Sequence, residues 1–122
     1  MARTAADMVA DAKGKVRSIT PEEVARMDDV LVVDVRDEPE VAASGKVRGA
    51  VHVPRGMLEF RADPSSTYHD PRFDPAKTVV LYCASGGRSA LAGVALQELG
   101  YSEVRNMGGF KDWADKGLPL DT

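Results

Sequence analysis

The stretch Val79-Val80-Leu81-Tyr82-Cys83-Ala84-Ser85-Gly86-Gly87-Arg88-Ser89-Ala90-Leu91 decides how the rest of the chain reads. Its first residues are apolar and β-prone, as in a strand buried on both faces. Cys83 marks the strand end. Ser85, Gly86 and Gly87 supply a short flexible loop. From Ser89 onward Ala90, Leu91, Val94, Ala95, Leu96 and Leu99 recur at helix spacing. The single cysteine of the chain thus lies at a hinge between strand and helix.

That placement has chemical consequences. Backbone N–H groups at a helix start are unpaired, and the helix dipole favours negative charge there. Two glycines let the loop curl so that several amides converge on one point. A cysteine facing such a nest has a lowered pKa and ionises readily. Arg88 adds a fixed positive charge. The stretch reads as an activated sulfur nucleophile, Cys83, in an anion cradle built by Ala84, Ser85, Gly86, Gly87, Arg88 and Ser89. The competing reading is a buried cysteine acting as a small hydrophobe. The glycine loop, the arginine and the helix start directly behind it favour function.

Working outward, Val30 to Val35 is a second apolar run, read as a central strand covered on both sides. Asp34 and Arg36 fall at its C-terminal end, where ligands gather in parallel α/β sheets. They are read as supports that hold the cradle, because thiol chemistry needs no carboxylate partner. Thr20-Pro21-Glu22-Glu23 is a helix start with a capping box, running to about Met27. Glu38 to Ser44 reads as a short helix, Ala50 to Val53 as a short strand, and Met57 to Arg61 as helical. His52 lacks any partner at metal-ligand spacing and reads as a structural histidine at a strand end. Residues 63–77 carry three prolines and read as a long polar loop, either bordering the site or plain surface, with Tyr68 and Phe73 as its pins. Gly100 suits the end of the helix that begins at Ser89. Tyr101 to Met107 reads as a strand, and Gly108-Gly109 as a turn or as a place where backbone approaches the thiol. Phe110 and Trp113 then sit on a short helix as core aromatics. Residues 1–17 are an N-terminal extension: Ala5 to Ala12 form a loose helix stopped by Gly14, and Val16 to Ile19 a short edge strand.

At 122 residues the chain holds one core, with residues 18–122 as a single domain. A net charge of -3 without a basic block argues against nucleic acid and membrane surfaces. One cysteine excludes an internal disulfide and a cysteine-based zinc site. No metal and no organic cofactor is expected. A free thiol in this role suits a reducing cytoplasm. The acidic N-terminus, with Asp7 and Asp11, does not read as a signal peptide. Strands alternating with helices give an α/β domain, with a central, mainly parallel sheet of about five strands and helices on both faces.

Four short motifs in order resemble the rhodanese (sulfurtransferase) family: Asp34-Val35-Arg36, Gly49-Ala50-Val51-His52-Val53-Pro54, Cys83 through Ser89, and Gly108-Gly109-Phe110 with Trp113. The resemblance spans about residues 18 to 120. It implies a rhodanese-like three-layer domain and an enzyme that moves a sulfane sulfur through a persulfide on Cys83. The donor it implies is small, thiosulfate by default, with mercaptopyruvate or a protein persulfide also open. The acceptor is cyanide or a thiol, which a protein could carry. Ala84 and Ser85 depart from relatives that place basic residues there, leaving Arg88 as the loop's one charge. Two rivals remain: a persulfide carrier or regulatory module, and a cysteine phosphatase or arsenate reductase. Related phosphatases have one residue more between cysteine and arginine than the four found here.

Overall fold

The computed structural model describes residues 2–122. Its central sheet has five strands in the order β1-β6-β5-β2-β4, all parallel: β1 (Arg17–Ser18), β6 (Val104–Gly109), β5 (Thr78–Cys83), β2 (Val30–Asp34) and β4 (Val51–His52). The two apolar runs singled out in the sequence, β5 and β2, lie side by side in the middle. A separate antiparallel pair, β3 (Lys46–Val47) with β7 (Leu120–Asp121), has no counterpart in the sequence reading.

Side chains alternate across the sheet with period two. Val79, Leu81 and Cys83 of β5 join one buried cluster with Val33, Val35, Leu58, Ala92 and Leu96. Val80 and Tyr82 join the other with Val24, Met107, Phe110 and Trp113. The first cluster is covered by α4 (Leu58–Ala62) and α5 (Gly87–Glu98), the second by α2 (Pro21–Ala25) and α6 (Phe110–Asp115). Helices on both faces of a parallel sheet make the three-layer α/β arrangement. Cys83 therefore points to the α5 side.

Local signals explain most element ends. Thr20 caps α2, its Oγ1 accepting from Glu23 N–H at 3.1 Å while the Glu23 side chain accepts from Thr20 N–H at 3.0 Å. The first helix, α1 (Ala5–Lys15), carries the same box from Thr4 and Asp7 and packs on α5. It runs through Gly14, which does not stop it. A helical glycine costs only about 1 kcal/mol relative to alanine, and Lys15 is held by Asp11 at 3.0 Å. The strand expected at Tyr101 to Met107 begins later, at Val104, and runs on through Gly109. Tyr101 is instead core: its hydroxyl donates to the Ala62 carbonyl at 2.7 Å and its ring meets Phe73 edge-on. Phe73 is buried and pins the 63–77 loop, but Tyr68 is 57% exposed and pins nothing.

Candidate active site

The site forms where β5 hands over to α5. Gly86 adopts φ +100°, a left-handed conformation open to glycine, and caps the helix. The helix starts at Gly87, two residues before the point expected from apolar spacing. The chain thus turns sharply after Cys83, and the first α5 amides face back toward it. Gly86 N–H donates to Cys83 Sγ at 3.0 Å, and Ser89 Oγ stands 3.4 Å from the same sulfur. Cys83 is free and buried. Burial alone would push its thiol up. The Ser89 hydroxyl and the amides of Ser89, Ser85 and Gly86 outweigh this, and hold the pKa below the ordinary value.

The end of β6 closes the loop from the side. Cys83 pairs in register with Gly109. A Cβ on Gly109 would stand 2.6 Å from the Ala84 carbonyl oxygen, inside contact distance, so only glycine lets the two backbones approach. Gly108 and Gly109 are strand, not turn: close backbone approach explains Gly109, and a left-handed φ of +95° explains Gly108. Asn106 ties the parts together. Its amide nitrogen donates to the Gly86 carbonyl at 3.2 Å. Its oxygen accepts from Ser89 Oγ at 2.7 Å and from Gly108 N–H at 3.0 Å.

The Ser89 hydroxyl has one hydrogen and two acceptors, Asn106 and the sulfur. Ser89→Ala is expected to raise the Cys83 pKa and slow thiol alkylation near neutral pH. Asn106 keeps Gly108 N–H as a partner, so the fold should hold. The rate of iodoacetamide modification against pH measures this; an unmoved midpoint would leave the amides as the sole cause.

Asp34 and Arg36 form a separate buried pair. Arg36 Nε donates to Asp34 Oδ1 at 3.0 Å and Nη2 to Oδ2 at 2.7 Å, and Tyr82 Oη donates to the same Oδ2 at 2.7 Å. Arg36 also donates to Ser44 Oγ and the Gly45 carbonyl, at 2.9 and 2.8 Å, and lies over the Phe110 ring, 4.2 Å from its centroid. Among the described residues no hydrogen bond links the pair to the sulfur. His52 Nε2 meets the Arg36 carbonyl at 2.7 Å and braces the same turn.

The fixed positive charge expected at Arg88 is present but paired. Its two terminal nitrogens donate to the Glu40 carboxylate at 2.7 and 2.9 Å. Glu40 lies on α3 (Glu38–Ser44), 48 residues away in sequence. The Arg88 hydrogen bonds hold its carboxyl down to about 2, against the opposing effect of burial. Glu40 and Asn106 are the site residues that the sequence reading missed. Both are brought in by tertiary contact and carry no local signal.

Residues 20–116 match the rhodanese-like domain family, and the chain belongs to that family. It is 36% identical over 98 residues to a sulfurtransferase of Allochromatium vinosum, covering 80% of this chain and 83% of that protein. A solved structure from Rhodopseudomonas palustris superposes with a TM-score of 0.91 at 37% identity, covering 99% and 96% of the two chains. That protein is described as of unknown function and a possible tyrosine phosphatase. The polysulfide-sulfur transferase homodimer of Wolinella succinogenes superposes at 0.75 with 33% identity, over 93% of this chain and 84% of that one. Among the described residues no helix is long and apolar enough to cross a membrane.

Proposed function

We propose that this protein is a rhodanese-type sulfurtransferase that carries sulfane sulfur as a persulfide on Cys83. The observation that carries the reading is the convergence of Gly86 N–H, at 3.0 Å, and the Ser89 hydroxyl, at 3.4 Å, on one buried sulfur. The Cys83 thiolate attacks the outer sulfur of a donor such as thiosulfate. A sulfur–sulfur bond forms to Cys83, the donor's own sulfur–sulfur bond breaks, and sulfite leaves with the electron pair. The loop amides from Ala84 to Arg88 stabilise the persulfide anion. A thiol or cyanide then attacks the outer sulfur and releases the Cys83 thiolate. Small donors and acceptors suffice, and a protein can stand in for either. The free, low-pKa thiol fits a reducing, cytoplasmic setting. The expected boundary between 17 and 18 falls inside β1 (Arg17–Ser18), so the single catalytic domain takes in that strand and α1 is the packing extension.

A phosphatase reading has support from the description of the Rhodopseudomonas palustris protein. Loop size argues against it here. Four residues separate Cys83 from Arg88. A Cβ at Gly109 would stand 2.6 Å from the Ala84 carbonyl oxygen and one at Gly86 3.3 Å from Gly108 Cα, so β6 lies close against the loop and opposes its widening. A phosphoryl group needs several oxygens held at hydrogen-bond length, whereas a persulfide presents one atom. Excess thiosulfate is expected to make the protein one sulfur atom heavier by intact mass, reversed by a reductant. Aryl phosphate should not be hydrolysed measurably under the same conditions. Efficient phosphate hydrolysis with no sulfur adduct from any sulfane donor would overturn the assignment.

A further inference from the structure

We infer that Glu40 sets donor choice by cancelling the charge of Arg88, so that the site disfavours doubly charged sulfur donors relative to singly charged ones. The inference deepens, and rests on, the sulfur-transfer reading above. From Cys83 to Ser89 the only charged side chain is Arg88. It occupies the first turn of α5, beside the amides that face the sulfur. Any attraction the loop exerts on an anionic donor, beyond its backbone dipoles, must come from this guanidinium. Yet both of its terminal nitrogens are committed to Glu40, at 2.7 and 2.9 Å. The carboxylate is ionised at every working pH, because its pKa lies down at about 2, held there first by the Arg88 hydrogen bonds.

Glu40 is itself fixed from the other side. Asp37 N–H donates to Glu40 Oε1 at 3.1 Å in the capping box that starts α3. The carboxylate is thus held by its own helix start as well as by Arg88. Asp37 and Glu38 stand in the same helix start and add further negative charge. The other nearby guanidinium, Arg36, is bound to Asp34 and cannot compensate. Cation and anion are each about one third exposed, so the pair borders solvent.

The chemistry defines a matched comparison. Thiosulfate carries two negative charges, and an alkanethiosulfonate carries one. Both present the same outer sulfur. In each case Cys83 thiolate forms a bond to that sulfur, the donor's sulfur–sulfur bond breaks, and sulfite or sulfinate leaves with the electron pair. The alkyl group replaces one anionic oxygen, so the change each variant makes in the ratio of the two donors reports the charge near Arg88, with each donor serving as its own reference.

Glu40→Gln tests the idea. Glutamine keeps the size of the side chain and can still accept from Asp37 N–H, so the helix cap survives. It removes the negative charge that neutralises Arg88, leaving one neutral acceptor at Oε1 and freeing Nη2. The variant is expected to raise kcat/KM for thiosulfate on the order of fivefold more than for methanethiosulfonate. The gain should shrink in 1 M salt, where the Debye length falls to about 3 Å. Adding Arg88→Gln to this variant should return the ratio to its wild-type value, because the gain acts through Arg88. A second readout needs no sulfur transfer: the rate of Cys83 alkylation by anionic iodoacetate relative to neutral iodoacetamide. That ratio should rise in Glu40→Gln and fall back in the double variant. If it does so while neither donor yields a persulfide, the charge role stands and the sulfur-transfer reading fails. If persulfide forms but both ratios are unchanged, or both donors lose activity equally, Glu40 merely positions Arg88 and the inference is overturned.

Discussion

Cys83→Ser is expected to lose sulfur transfer by at least about a thousandfold, since removing a nucleophile removes the covalent route as a whole. The serine hydroxyl ionises far above the pH range in which the thiol does. It also cannot form the sulfur–sulfur bond that stores the transferred atom. The surroundings would not rescue it. Gly86 N–H and the Ser89 hydroxyl stabilise an anion at this position, but they cannot create one from an alcohol at neutral pH. The substitution should be mild for the fold. Serine is smaller, keeps an acceptor for Gly86 N–H, and gives a stability change within about 1 kcal/mol. Steady-state transfer, intact mass after donor treatment and thermal unfolding on one preparation check all three statements. A folded variant that retains substantial activity would remove Cys83 from the mechanism.

How much of this was legible in the chain depends on range. β5 and β2 announce themselves as apolar runs, and the Thr20 cap and the Gly100 turn are local signals with local causes. The start of α5 was displaced because apolar spacing reports only the buried face. Gly87 and Arg88 show no such spacing, and the cap is a backbone conformation at Gly86. Tyr101 looked like strand because it is aromatic and buried. Its hydroxyl and ring serve a different purpose, closing the α4 and loop side of the core. The β3–β7 pair joins residues more than 70 apart and only two long, below any periodicity. The same holds for chemistry. The thiol and its amides lie within seven residues and can be read directly. The partner that neutralises Arg88 lies 48 residues away and cannot.

Arg36→Ala is expected to destabilise the protein by about 3–5 kcal/mol, the usual consequence of leaving a buried charge without its partner. Asp34 is fully buried and Arg36 nearly so. Their pairing is bidentate, at 3.0 and 2.7 Å, with Arg36 N–H adding a third donor at 2.9 Å. Alanine keeps that backbone donor and the Tyr82 hydroxyl, but removes the guanidinium. It also strips Ser44 Oγ and the Gly45 carbonyl of a donor, and opens a gap over the Phe110 ring. The affected turn connects β2 to α3, the helix that presents Glu40, so the loss should reach Arg88 as well. Lysine is not a substitute. A single ammonium cannot reach Asp34, Ser44 and Gly45 from one planar fork, so Arg36→Lys should recover only part of the loss. Asn at position 34 in the Arg36→Ala background removes the stranded charge, keeps an acceptor for Tyr82, and should restore more stability than lysine does. Urea unfolding of the four proteins orders them, with wild type first, the double variant next, then Arg36→Lys, and Arg36→Ala last. An Arg36→Ala protein within about 1 kcal/mol of wild type would show that the pair is not what holds the β2 turn, and the support assigned to Asp34 and Arg36 would have to be given up.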